Sequence, residues 1–433
     1  METTVMAPPT TAADKAAVTA RDTVAVIAPT PDADYAHALT ARGYNALAVT
    51  LNDRLRRRAG LRGYVTTLSH SRLHRTAATL RAIGVSAITA GSAHGVALAE
   101  QLAAHLALQG NRPESTELRT DRGAQANALQ SAGISAPHQI RTDSLDEAVR
   151  WWQVSRIGPC ILLPAAVSVP AEPALCSSSR QISEAWRGLR RTAHTHSGDA
   201  GLVLREALPG RHFLVYSVTR PATQPGLLAD HVVTDVWAQT HTDGGVLSYT
   251  SLMRRSSLLA RALSLYVQLL LEALAVTSGP VCSRVCYTAE RGLLLKSVTA
   301  VAQCSGADGA LRRSTGRDRL GDALDMLLPS ARGQLIPAPT GDRVVRVPLY
   351  ARHTGVLDVD RLNKMASLPT VVHVDKQLCA PAEHISHTGT RAGEIVLSHP
   401  NPGLIERDYR TVRALERHLY RTAPFSAEPA VTS

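Results

Sequence analysis

The sequence predicts a mixed α/β and α+β fold, with a doubly wound domain at the N-terminus followed by α+β regions. Three observations carry this. Short apolar runs alternate with helix-period segments up to about Gly110, the signature of parallel strands joined by crossover helices. Period-two segments follow at Gly201–Glu206, His212–Thr219 and His231–Gln239, as antiparallel strands require. A long apolar-faced helix, Ser257–Ala273, then precedes the strand pair Val281–Thr288 and Gly292–Thr299.

In chain order, Thr23–Ala28 (TVAVIA) is an apolar run ending at prolines, which suits a buried parallel strand. A helix over Asp34–Arg42 and a strand over Ala46–Thr50 complete a βαβ start. Leu73–Ile83 is helical, Val85–Thr89 a strand, and Ala93–Leu106 a helix opening on Gly91-Ser92. The turn Ala90–Gly95 either cradles an anion at a helix N-terminus or is a plain strand-to-helix turn. Asp121–Ala132 forms a helix that Gly133 ends; Leu145–Val154 is a helix and Cys160–Leu163 a strand. A proline-punctuated stretch, Pro164–Pro173, precedes a helix and polar loop over Ser177–Ser197. The region Gln334–Tyr420 carries short strands and a closing helix, Arg407–Tyr420. Residues 1–21, rich in Ala, Thr and Pro, are expected to be a disordered leader, and 424–433 a frayed tail.

At 433 residues and 44% hydrophobic, the chain can bury several cores. The net charge of +11 comes from scattered arginines. The richest runs, Arg54–Arg58 with Arg62 and Arg187–Arg191, lack interleaved aromatics to stack bases, so they are expected to be solvated helix faces and no nucleic-acid partner is expected. The cysteines (160, 176, 282, 286, 304 and 379) form no CxxC pair. With no signal peptide and no apolar run of membrane length, a cytoplasmic, reduced protein with no membrane contact is expected.

One distribution stands apart. No lysine occurs between Lys15 and Lys296; the others are Lys364 and Lys376. From Val24 to about Tyr420 the order of pieces resembles the ATP-grasp carboxylate–amine ligases, particularly the single-chain amino-acid and dipeptide ligases. The landmarks are AGSAHGVALAEQLA (90–103), LRTDRGAQANALQSAGI (118–134), ILLP (161–164), LREALPGRHFLVYSV (204–218), VVTDVW (232–237), LEALAVTSGPVCSRV (271–285), GLLLKSVTAV (292–301) and ERDYRTVRALE (406–416). The resemblance implies a Rossmann-like N-terminal domain (22–115), a small lobe (116–200), a large lobe (201–333) and a C-terminal subdomain (334–423), the lobes clamping a nucleotide. It also implies a place in amino-acid metabolism.

Such ligases need lysines and glycine amides on the ATP phosphates and acidic ligands for magnesium. Carried over position by position, the resemblance puts Arg122 where one phosphate lysine is expected and Leu163 where the other is. The phosphate-covering loop falls on Ala165–Leu175, without a glycine, with Val169 and Glu172 at its glycine positions. A His and a Glu become Cys282 and Arg284; a further Glu and an Arg become Lys296 and Ala300. Glu206 survives before Gly210, while a second acid becomes His212. The expectation is a degenerate ATP-grasp protein with neither metal nor cofactor, acting as a binding or regulatory partner, for instance of an active ligase.

Two alternatives stay open. A repurposed enzyme would use Lys296, Arg284 and a nucleophilic Cys282 on an anionic metabolite, with Arg122, Glu206 and His212 binding the ligand. A ligase with a rewired site would need carboxylates placed elsewhere. Cys282 and Cys286, roughly 13 Å apart on an ideal strand, are too distant to share a zinc and read as small buried hydrophobes. His194 and His196, like His384 and His387, read as surface-loop residues, and Trp151 and Trp152 as seals of a core. The cationic pair Lys296 and Arg284 either serves a ligand or is closed off by carboxylates such as Glu172 or Glu206.

Overall fold

The computed structural model describes residues 22–30, 34–52, 61–222, 229–303, 305–328, 339–375 and 391–421. The leader, the tail, Arg54–Arg58, Cys304, Cys379, His384 and His387 lie outside them. The chain begins with β1 (Thr23–Ile27), α1 (Tyr35–Thr40), β2 (Asn45–Thr50), β3 (Thr66–Ser69), α2 (Leu73–Ile83), β4 (Val85–Ala90) and α3 (Val96–His105). The strands form a parallel sheet in the order β3-β2-β1-β4. Residues of β1 are wholly buried because helices cover both faces of the sheet, which is why its sequence is continuously apolar rather than alternating. The turn after β4 packs hard against the end of β1. A Cβ at Gly95 would lie 2.3 Å from the Ile27 carbonyl oxygen, so glycine is required there by close approach.

Next come α4 (Glu117–Thr120), α5 (Arg122–Ser131), β5 (Gln139–Thr142), α6 (Leu145–Ser155), β6 (Cys160–Pro164), β7 (Ala174–Cys176), α7 (Ser179–Ser197) and β8 (Leu202–Glu206). An antiparallel sheet in the order β5-β8-β6-β7 packs against α6 and α7. By its pairing β8 belongs to this small sheet rather than to the strands that follow. The expected polar loop at the end of 177–197 is instead continuous helix, with His194 and His196 in its last turn. Ser178 caps the N-terminus and Gly198 closes the C-terminus in the left-handed region, and these caps define the ends better than local polarity does. The arginines 187, 190 and 191 lie on its solvated face, while Ile182 and Trp186 are buried.

The remainder comprises β9 (Arg211–Pro221), β10 (Ala229–His241), β11 (Leu247–Leu252), α8 (Leu258–Ala273), β12 (Gly279–Thr288), β13 (Gly292–Thr299), α9 (Asp308–Thr315) and α10 (Arg319–Leu327). The last elements are β14 (Arg343–Tyr350), β15 (Val356–Leu357), α11 (Val359–Ala366), β16 (Val371–Val374), β17 (Arg391–His399), α12 (Pro402–Glu416) and β18 (Tyr420–Arg421). An eight-stranded sheet runs β13-β12-β9-β10-β11-β14-β17-β16. One face is buried under α8, whose Leu263, Val267, Leu270 and Leu271 meet Phe213, Val215, Val285 and Val298. The other face carries Tyr216, Trp237 and Cys282 against Ala310 and Leu311. The closing helix starts earlier than residue 407, at Pro402, because Asn401 accepts from Gly403 N and proline is at home in a first turn.

A buried ion pair anchors this second face. Arg319 donates from Nε and Nη2 to Asp235 Oδ2 at 2.9 and 2.7 Å, and stacks on the Tyr216 ring at 3.6 Å. Asp235 also accepts from Trp237 Nε1 and Thr234 Oγ1. Burial works against the charge on Arg319, but Asp235, Tyr216 and Asp308 outweigh it and raise its pKa.

Candidate functional site

The site grows out of the β12–β13 pairing. Arg284 faces Ser297 and Val285 faces Leu295, so Lys296 is the extra residue of a bulge with no partner across the ladder. A bulge re-aims the side chain it carries. Lys296 Nζ reaches His212 Nδ1 at 3.1 Å, and the His212 ring meets the edge of His241, with centroids 5.1 Å apart. Burial, then Arg205 and Arg284, bring the Lys296 ammonium down to about 8. Burial, Lys296, His241 and Arg205 bring His212 down to about 4, so its ring is neutral and accepts the ammonium hydrogen bond. His241 is lowered by burial and by Lys296.

Further guanidiniums crowd the same place from the small sheet. Arg205, on β8, is 4% exposed and donates from Nη1 to the Lys296 carbonyl at 2.7 Å, while its Nε finds no hydrogen-bond partner among the described residues. Burial brings it down to about 10. Arg122, at the start of α5, falls to about 9 through burial, Arg205 and Arg284, with Asp121 opposing. Arg284 is exposed and, among the described residues, no ion pair engages it. Glu206 is tied at the margin, where it pairs with Arg291 from the β12–β13 turn and accepts from His138 N at 2.8 Å; its charge offsets part of the burial cost of Arg205. Gly210, between Glu206 and β9, is again a close approach, since a Cβ there would lie 2.2 Å from the Tyr287 carbonyl oxygen. The arrangement is a concentration of positive charge.

The loop from Ala165 to Leu175 borders this cluster and is tied down by backbone hydrogen bonds. Its amides donate inward: Ala165 N to Gly201 O, Val167 N to Thr120 O, Val169 N to Ala166 O and Ala171 N to Val169 O. Arg122 Nη1 donates to the carbonyls of Pro164 and Ala166, each at 2.7 Å. Leu163, Ala165 and Val203 fill a small apolar core beneath the loop, and Val169 is 5% exposed.

No protein-family model and no characterised protein matches the chain by sequence. Solved structures do match in shape. The L-amino acid ligase from Bacillus licheniformis superposes with a TM-score of 0.72 at 14% identity, over 91% of this chain and 97% of that one. The ADP complex of PurK, an N5-carboxyaminoimidazole ribonucleotide synthetase, gives 0.65 at 13% identity over 92% and 97%. The N5-carboxyaminoimidazole synthetase from Staphylococcus aureus gives 0.63 at 14% over 90% and 97%. The chain has the ATP-grasp fold.

In this ATP-grasp frame the structure brings Lys296, Arg284, Arg122 and His212 into one electrostatic neighbourhood and leaves Glu206 at its margin, bound to Arg291. Cys282 does not fit the role of an activated nucleophile. It is 1% exposed, packed beside Leu214, Tyr216 and Trp237, and burial pushes its thiol up despite Arg284 and Arg319. Cys286 is buried too, so both cysteines act as small hydrophobes. The closure by Glu172 or Glu206 is not realised: Glu172 is exposed, and Glu206 is engaged by Arg291. Arg205 and His241 join this cluster but look in the sequence like ordinary alternating strand residues. Only the tertiary contacts of Arg205 with the Lys296 carbonyl and of His241 with the His212 ring reveal them. Among the described residues no group of three or more His, Cys, Asp or Glu side chains is placed to hold a metal, and no helix is long and apolar enough to cross a membrane.

Proposed function

We propose that this ATP-grasp-fold protein is not a conventional magnesium–ATP ligase and binds an anionic small molecule, without metal, in the cleft between its lobes, acting as a binding or regulatory protein. The observation that carries this reading is the bulged Lys296, set among Arg205, Arg284, Arg122 and His212 with no group of carboxylates placed to hold magnesium among the described residues. Two cations at the positions of two metal-binding carboxylates repel magnesium. The covering loop supports the same reading, because its amides at 165, 167, 169 and 171 already donate within the protein. A carboxylate or phosphate in their place would neutralise the cluster and give the unpartnered Nε of Arg205 an acceptor.

One observation favours a second reading, a repurposed enzyme on an anionic metabolite. An amine brought to about 8 beside a neutral imidazole is suited to proton transfer near neutral pH. Pairing with an active ligase is a further form of the regulatory reading.

Titration calorimetry with ATP, with and without magnesium, and with inorganic phosphate or pyrophosphate alone tests the proposal. Metal-independent anion binding that Lys296→Glu abolishes is expected. Magnesium-dependent ATP binding in the low micromolar range would overturn it.

A further inference from the structure

Helix α8 is apolar on both faces. Its inner face fills the core of the large sheet, yet Leu258, Leu265 and Leu269 on the outer face are 83%, 64% and 63% exposed. With the exposed Ala262 they recur at spacings of 4, 3 and 4 residues, the pattern of a helix seam. A surface helix normally turns charged residues outward, and a helix apolar all round is one that is covered all round. Two charges border this stripe, at opposite ends: Arg261, exposed and without an ion-pair partner among the described residues, and Glu272, 39% exposed with its Oε1 3.2 Å from His231 Nε2.

We propose that the outer face of α8 is the contact between two copies of this chain, packed helix against helix, antiparallel about a two-fold axis. An axis level with Tyr266 and Val267 sets Arg261 against Glu272 of the partner subunit, and the symmetric pair forms at the other end. Between the two ion pairs, Leu265 and Leu269 interdigitate with the same residues of the second copy. At about 100° of turn per residue, Arg261 and Glu272 fall on one flank of the stripe and Leu269 and Ala262 on the other. A two-fold perpendicular to both helices therefore brings unlike charges together on one side and apolar groups together on the other. A parallel pairing, about an axis along the helices, would instead set each charged flank against the partner's apolar flank, with Arg261 level with Ala262. The charge pattern therefore selects a second copy in antiparallel register. The inference is independent of what the cleft binds.

Sedimentation velocity on the full chain tests it. The expected result is a dimer for the natural protein, a monomer for Leu265→Asp, and a dissociation constant raised about ten-fold or more for Arg261→Glu. The double change Arg261→Glu with Glu272→Arg restores dimerisation. Circular dichroism establishes that each variant is folded. Should Leu265→Asp fail to fold, the charge reversal and its rescue still decide. A natural protein that stays monomeric at its highest soluble concentration overturns the proposal, as does a dimer indifferent to all of these changes.

Discussion

Lys296 Nζ and His212 Nδ1 stand 3.1 Å apart, a cation against a neutral imidazole, and among the described residues neither pairs with a carboxylate. The amine is held charged at a cost, because burial and the neighbouring Arg205 and Arg284 all oppose its proton. Removing it is therefore expected to help the fold while harming the site. Lys296→Met should raise unfolding stability, on the order of 1–3 kcal/mol, and abolish anion binding. Urea melts and calorimetry on the same preparation read both effects. A variant that is less stable and binds normally would contradict the expectation.

The pH dependence follows from the same groups. Lys296 is lowered from 10.5 to about 8 and His212 from 6.5 to about 4, so in both windows the unfolded chain holds more protons than the folded one. The contribution of Lys296 to stability should rise as pH climbs from about 8 to 10.5. That of His212 should fall as pH drops from 6.5 toward 4. Anion binding runs the other way at alkaline pH: it should weaken above about 8 as the ammonium loses its proton. Above about pH 8, where the free amine has lost its proton, binding should take a proton up, seen as a heat that varies with buffer. Melting curves across pH, and their flattening in Lys296→Met, are the check.

Arg122 is expected to be a fastener of the covering loop. Its guanidinium holds the carbonyls of Pro164 and Ala166, so Arg122→Ala should loosen the amides of Val167 and Val169. Hydrogen exchange at those amides should quicken selectively, with an overall loss of about 1–3 kcal/mol. Unchanged protection of the loop would show that its own backbone bonds suffice.

Asp235→Ala should be among the most damaging single changes. It strips the Arg319 guanidinium, 4% exposed, of its closer carboxylate, leaving Asp308 at 3.3 Å, and removes the acceptor of Trp237 Nε1. Breaking one side of a buried pair costs about 3–5 kcal/mol. Denaturant unfolding gives the number, and the double change Asp235→Ala with Arg319→Met should recover part of it.

How far the sequence reveals this molecule depends on range. The strands at 23–28 and 46–50 are legible because burial on both faces demands apolar runs, and 85–89, an edge strand with Ser86 exposed, is legible between Gly84 and Gly91. Thr66–Ser69 is not legible, because an edge strand that is only partly buried carries no periodic signal. The helix end at Gly198 and the start at Asn401 are written in cap residues that polarity alone obscures. Of the site, Lys296 and Arg284 stand out as cations against the order of landmarks. The bulge at Lys296 is a property of two strands paired, invisible in either one. Arg291 reaching back to Glu206 likewise depends on contacts far apart in the chain.

The strand β13 lies at the rim of the eight-stranded sheet, where an open row of amides and carbonyls would invite another chain to add on. Here side chains from the small lobe imitate that missing strand. Gln125 donates to Val298 O at 3.0 Å and accepts from Val298 N at 2.9 Å, and Arg205 takes the Lys296 carbonyl. The lobes are thus riveted along the very line where the sheet would otherwise be sticky. Gaping of the cleft and exposure of that rim become a single event. Opening wide to admit the proposed anion would also risk polymerising through β13, so admission by local loosening of the loop at 165–175 is the safer route for this chain.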